Sequence, residues 1–272
     1  MALINKSYFR PLYNLFSSFL FDPLVPLQKI RAFPYFLRNL AAYLTLNTGG
    51  SFRISLIDFQ YTTSDRFLGG GTDTGHYFHQ DMWAAGYIYK NQIDCIVDVG
   101  SRIDGFIAHV LPFCRVVYID IRPLRFSAPN FEYRQGTILD LPFPDSTVKN
   151  ISSLHVIEHI GLGRYGDPVD PDGYKKAAQE IIRVMAPGGR LILGAPVGRE
   201  RLCFDAHRVF DPATICAVFS SLSLIHFSLI DDQGNCVVDN VKFEDALKCN
   251  YGCGLFVFEK TKTTQTATRP CL

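Results

Sequence analysis

The chain has 272 residues, 47% hydrophobic and 19% charged, with a formal net charge of +1. This is enough for one large domain plus an extension with a sizeable buried core, and the near-neutral balance argues against an extended nucleic-acid surface. The eight cysteines form no CxxC pair and no regular framework, so buried free thiols in a reducing compartment are expected.

Residues 1–50 differ in composition from the rest. They carry ten aromatic residues, and five basic residues (Lys6, Arg10, Lys29, Arg31 and Arg38) against Asp22 give this segment a charge of +4. Pro11, Pro23, Pro26 and Pro34 are expected to divide it into short helices. The apolar stretch from Pro11 to Phe21 is interrupted by Asn14, Ser17 and Ser18, and is far shorter than the about 20 residues a membrane span needs. No small-residue cleavage site follows the basic start. The expectation is a helical extension packed on the domain, with weak peripheral membrane contact as the rival reading.

Ser51 to Phe59 reads as a strand and Tyr61 to Gly75 as a polar loop. His76 to Lys90 reads as a helix. His76, His79 and Asp81 carry metal-capable groups, but only two of the three can share one helical face, and no metal is expected there. The stretch from Asp94 to Asp120 reads as strand, tight loop, helix, strand. Ile96, Val97 and Val99 suit a strand buried on both faces, Gly100 breaks it, and Pro112 ends the helix that follows. A glycine loop leading into a helix binds polar or anionic groups through free N–H donors. Asp120, at the tip of the second strand, can take two ribose hydroxyls. A dinucleotide fingerprint needs a third glycine, absent here, whereas Asp98 two residues before Gly100 suits a cationic or amine-bearing cofactor.

Strands are expected over Phe131 to Ile138, Val148 to His155, Arg190 to Leu193, Leu222 to Ile230 and Leu255 to Glu259. Residues 173–185 form an amphipathic helix stopped by Ala186-Pro187-Gly188-Gly189, and Asp211-Pro212 opens another helix to about Ser220. Strand alternating with helix predicts a mostly parallel sheet with its sites at the C-terminal strand ends. Cys249 and Cys253, spaced CxxxC, could pair or hold a metal; that spacing decides neither. His155, Glu158 and His159 spell HxxEH, a zinc signature when it lies on a helix, but here it follows a β-rich run. Residues 261–272 read as a disordered tail.

VDVGSRIDGF, YID, LPFPDST, SSLHVIEHI and RVMAPGGRLILGAPVG occur in the order and spacing of class I methyltransferases that use S-adenosylmethionine (SAM). Over about residues 77–260 the chain resembles the type 11-like branch of that superfamily. Within it, HYFHQD and GLGRYGDPVDPDG resemble a group known as a domain of unknown function. The resemblance implies an α/β fold, a Rossmann-like doubly wound sheet of seven strands in the order 3-2-1-4-5-7-6 with strand 7 antiparallel, over residues 51–260. It also implies SAM as cofactor. The methionine part would lie at Asp98, Gly100, Ser101 and Gly105, with the ribose at Asp120 and Ile121. The adenine end would lie at Thr137 and Asp140, with His155 alongside. Thr137 stands where the family usually has an acidic residue, a departure that Asp140 or a backbone carbonyl could make good.

The loops after strands 4 and 5 are expected to hold a small polar acceptor, sugar-like or anionic, with O-methylation favoured. His159, Glu158 and His207 are the candidate catalytic residues, with a packing role for His159 as the alternative. Arg164, Tyr165, Asp167 and Arg208 are the candidate acceptor contacts. The rival reading is a SAM-binding or apo scaffold without turnover, for example in a glycan-assembly complex. A cytoplasmic protein without a nucleic-acid partner is expected.

Overall fold

The computed structural model describes residues 24–47, 54, 75–204, 206–234 and 236–262. The chain divides into two units, Met1–Thr72 and Asp73–Leu272. In the first, α1 runs over Leu24–Leu46 as one helix, where the prolines predict several short ones. Pro26 sits in the first turn, where its missing N–H is not needed. Pro34 lies inside the helix, flanked by exposed residues, so water can reach the carbonyl its ring leaves unbonded. No described helix is long and apolar enough to cross a membrane. The strand expected over 51–59 lies, apart from Ile54, outside the described residues.

The second unit is built on β1 (Cys95–Val99), β2 (Arg115–Asp120), β3 (Phe131–Gln135), β4 (Val148–Leu154), β5 (Met185–Val197), β8 (Leu222–Ile230), β9 (Val237–Asp239) and β10 (Gly252–Lys260). Their order in the sheet is β3-β2-β1-β4-β5-β10-β8-β9. β1 to β5 are parallel, and β10 is antiparallel to both β5 and β8. This is the implied 3-2-1-4-5-7-6 order with one short strand, β9, added at the edge. A separate ribbon pairs β6 (Arg201–Cys203) with β7 (His207–Val209), an element the sequence reading left as loop.

Both sheet faces are covered, as the apolar runs demand. On one face, Val97, Val99, Ile119 and Leu193 pack with Ala177, Ile181 and Val184 of α4 (Gly173–Val184) and with Ile215 of α5 (Pro212–Val218). On the other, Ile96, Val116 and Ile192 pack with Ala84 and Ile88 of α2 (His76–Lys90) and with Phe106 and Val110. Each such Val, Leu, Ile or Phe side chain contributes about 1.5–3 kcal/mol by leaving water. The Asp211 side chain caps α5 by accepting from Ala213 N–H at 2.8 Å, with Pro212 at the first helical position. The segment after Gly100 is less regular than expected: a π-turn over Ile103–Ile107, then one turn of helix, α3 (Ala108–Val110). A last short helix, α6, spans Phe243–Ala246.

Candidate active site

The C-terminal ends of β1, β2 and β4 open onto a cavity of about 280 Å³. The chain turns into it at Gly100, whose φ of +73° favours glycine. A Cβ there would meet Val156 at 3.1 Å, and the Gly100 N–H donates to the Ile119 carbonyl at 2.9 Å. Gly105 is needed for a different reason: a Cβ would collide with the Asp81 carboxylate, which α2 delivers against the loop. Burial pushes the Asp81 carboxyl above its usual range.

Asp98 does not face the cavity. It is fully buried, and its carboxylate accepts from Ser101 N–H at 3.0 Å, Ser101 Oγ–H at 2.7 Å and Ser152 Oγ–H at 2.6 Å. Desolvation pushes its pKa up to about 7, the hydroxyl and amide donors opposing it. Ser101 is likewise buried; its hydroxyl accepts from Leu154 N–H at 3.1 Å and its carbonyl accepts from Tyr118 Oη–H at 3.0 Å. Both residues hold the glycine loop onto β4 and β2, and Ser101 also lines an open depression beside Asp120.

Asp120 does line the cavity, at the tip of β2. Its carboxylate accepts from Arg122 N–H at 2.8 Å, Arg122 Nε–H at 3.0 Å and Arg122 Nη2–H at 2.7 Å, and shares the single Tyr118 Oη–H, 2.9 Å away, with the Ser101 carbonyl. Burial works against its charge, but the Arg122 fork outweighs it and holds Asp120 below the ordinary carboxylate range. The Arg122 side chain is itself 58% exposed and stacks over Tyr165 at 5.1 Å. Ile119, Ile121, Gly136, Thr137 and Ile138 form an apolar wall beside it. Asp140 is exposed and lies outside the lining, so of the two adenine candidates only Thr137 reaches the cavity.

The loop after β4 forms the opposite wall. His155 sits at φ +55°, a region few non-glycine residues adopt. Its Nδ1–H donates to Glu158 Oε1 at 2.7 Å with both side chains buried. Burial lowers the His155 pKa, but Cys253 and Glu158 outweigh it and raise it well above the ordinary value. Glu158 Oε1 also stands 3.7 Å from His159 Nε2, close enough for charge interaction but longer than a hydrogen bond. His159 Nδ1–H donates to the Ala206 carbonyl at 2.7 Å, which leaves Nε2 as the ring's acceptor. His159 lines the cavity, edge-on to Tyr165 at 5.4 Å.

Asp167 also lines it, but its carboxylate ties the loop by accepting from Gly161 N–H at 2.6 Å. Arg164 donates to the Ala206 carbonyl at 2.8 Å and stacks on Tyr165. Gly105, Glu158 and Arg164 do not line the cavity either, and Arg208 and His207 lie away from it. Arg208 donates to the carbonyls of Ile160 at 2.7 Å and Pro171 at 3.3 Å, and its backbone N–H to the Glu158 carbonyl at 3.0 Å, so it pins the loop from behind. His207 packs on Tyr251 at 4.9 Å, and burial lowers its pKa.

Arg122, Val156 and Tyr77 are cavity-lining residues that the sequence reading did not name as site residues. Arg122 had a local signal, the Asp-x-Arg spacing that lets a guanidinium fold back on the carboxylate two residues before it.

Residues 144–249 match the family model DUF268, described as a Caenorhabditis protein of unknown function. No curated protein matches the sequence. Among solved structures, the chain is similar to the N-methyltransferase NodS of Bradyrhizobium japonicum WM9 in complex with S-adenosyl-L-homocysteine: 17% identity, 67% of this chain and 85% of that one, TM-score 0.47. It is similar to the putative methyltransferase bound to the Trm112 activator of Haloferax volcanii: 16% identity, 68% and 90% covered, TM-score 0.49. A putative sarcosine dimethylglycine methyltransferase of Galdieria sulphuraria matches at 15% identity, 66% and 85% covered, TM-score 0.48.

Proposed function

We propose that the protein binds SAM in this cavity and transfers its methyl group to a small polar acceptor. The observation that carries the reading is Asp120: a carboxylate at the tip of β2, facing a cavity whose floor is a glycine turn at the end of β1. The fit has one condition. Two ribose hydroxyls need acceptor positions that Arg122 now fills, and the exposed guanidinium can swing into solvent to release them. Gly100 and Val156 shape the cradle, and Thr137 with Ile121 and Ile138 gives the flat apolar slot an adenine ring prefers.

SAM supplies an electrophilic methyl group on a sulfonium. The chain's part is to place the acceptor and accept its proton. His159 is the candidate base: its Nδ1–H is fixed by the Ala206 carbonyl, so Nε2 is free to take a proton from an acceptor hydroxyl. Tyr165 and Arg164 close the same side, and the Arg164 charge suits an anionic or hydroxyl-rich acceptor. O-methylation is the favoured outcome.

Isothermal titration with SAM, S-adenosylhomocysteine and NAD tests the cofactor. The first two should bind, and Asp120→Ala should weaken them by about 3 kcal/mol through two lost charge-assisted hydrogen bonds. Absence of SAM binding would sink the reading. With labelled SAM and a panel of hydroxylated and anionic acceptors, His159→Ala should leave binding intact and lower turnover by roughly 10²–10⁴. The Arg122 fork, which fills the ribose-acceptor positions of Asp120, also favours a second reading, a SAM-binding or apo scaffold without turnover. Absence of SAM binding in wild type that Arg122→Ala restores would select the apo form, and SAM binding with no transfer to any acceptor would select the SAM-binding form.

A further inference from the structure

Behind the cavity wall, three side chains from distant parts of the chain converge. His76 opens α2, His155 follows β4, and Cys253 is the second residue of β10. Because β10 runs antiparallel to β5, its start lies at the sheet edge where the parallel strands end. One ligating atom from each of the three lies within 4.8 Å of the other two.

The state of His155 is the second and independent observation. Its side chain is 2% exposed. With Nδ1–H donated to Glu158, Nε2 is the nitrogen left facing His76 and Cys253, and it becomes a metal donor when the ion displaces its proton. That Nε2 is buried and makes no hydrogen bond of ordinary geometry, the Cys253 thiol being the group it faces. Buried polar atoms are nearly always satisfied, and an exception calls for a missing partner. Cys253 is in a similar position: it is fully buried, and besides the His155 ring it faces, its thiol has long contacts, 3.7 Å to Gln80 Oε1 and 4.0 Å to the Gly254 carbonyl. A carboxylate on the outer nitrogen of a histidine whose inner nitrogen faces other donor groups is the arrangement that orients metal-bound imidazoles.

We propose that His76, His155 and Cys253 bind a divalent transition metal, with Glu158 orienting His155. Two imidazoles and a thiolate select zinc over the hard, oxygen-preferring cations. A tetrahedral ion with bonds of about 2.0–2.3 Å draws the three donors somewhat closer than they now stand. Three protein ligands leave the fourth position for water or an exogenous donor. His155 also lines the cavity, so the ion belongs to its wall. The membership differs from every metal reading the sequence offered: neither His79 nor Asp81 joins His76, His159 does not join His155, and Cys249 does not join Cys253. The proposal does not rest on methyl transfer.

The test uses the full chain, expressed with added zinc and dialysed against metal-free buffer. Elemental analysis should find about one zinc per chain. Replacement by cobalt should give the intense visible bands of a tetrahedral ion and a thiolate charge-transfer band in the near ultraviolet. His76→Ala, at a half-buried helix start, should remain folded by circular dichroism and lose zinc affinity by at least about tenfold, and Glu158→Gln by about 10–100-fold. Cys253→Ala should abolish the charge-transfer band, while Cys249→Ala retains it. A zinc-free wild type that gains no cobalt spectrum overturns the proposal. So does unchanged zinc affinity in folded His76→Ala, or loss of the thiolate band in Cys249→Ala alone.

Discussion

Asp98 offers a direct measurement of what its buried carboxylate does. Its pKa is pushed from 3.8 to about 7 in the folded protein. Between those values the native state holds a proton that the unfolded chain has released, so the unfolded state binds fewer protons and stability falls as pH rises. The effect is complete by the folded pKa. Integrated from about pH 5 to about pH 8, this one group costs the native state roughly 2–3 kcal/mol. Asp98→Asn removes the titration while keeping a planar group of the same shape. Its carboxamide oxygen can accept from Ser101 N–H, and its NH₂ can donate to the Ser101 and Ser152 hydroxyls, which rotate to suit. Urea unfolding at both pH values, with m checked for constancy, gives the difference. Wild type should lose roughly 2–3 kcal/mol more than Asp98→Asn across that range. Asp81 is shifted upward and Asp120 downward, but both are present in both proteins and cancel in the comparison. Equal pH slopes in the two proteins would refute the reasoning.

Gly105→Ala should destabilise by about 1–3 kcal/mol, because the new methyl group meets the Asp81 carboxylate; Asp81→Ala should recover most of that in a double-mutant cycle, and additivity would show the clash to be absent. Arg208→Ala should cost about 1.5–3 kcal/mol, since the Ile160 and Pro171 carbonyls lose a charged donor, measured by urea unfolding. The same variant should leave SAM affinity within twofold or so, and a large rise in acceptor KM with unchanged stability would return Arg208 to the acceptor site.

The sheet was legible because each strand signal is local. Ile96, Val97 and Val99 are apolar on both faces, and Asp211-Pro212 carries its own cap. The strand order came from the methyltransferase resemblance, not from any periodicity. The site was harder to read because its chemistry depends on partners far along the chain. A carboxylate before a glycine turn looks the same whether it faces a ligand or is satisfied, as Asp98 is, by a serine 54 residues away. Glu158 is adjacent to His159, yet the turn after β4 presents it to His155. The prolines of 1–50 mispredicted α1 because an exposed helix tolerates an interior proline that a buried one does not. Cys253 could join His76 and His155 only once the antiparallel strand was placed.

That strand also bears on how the molecule is assembled. Among the described residues β10 comes last in sequence but lies inside the sheet, between β5 and β8. Until residues 252–260 arrive, β5 and β8 each present an unpaired edge, the kind that invites pairing with other chains. Bridging β10 to β5 closes a loop of more than fifty residues, from Val197 to Gly252, which costs about 1 kcal/mol more closure entropy than the short crossover between β1 and β2. The half of the sheet holding Gly100 and Asp120 can therefore fold early, while the wall carrying Cys253 is completed last. A folding chain is most exposed to aggregation in the interval between them.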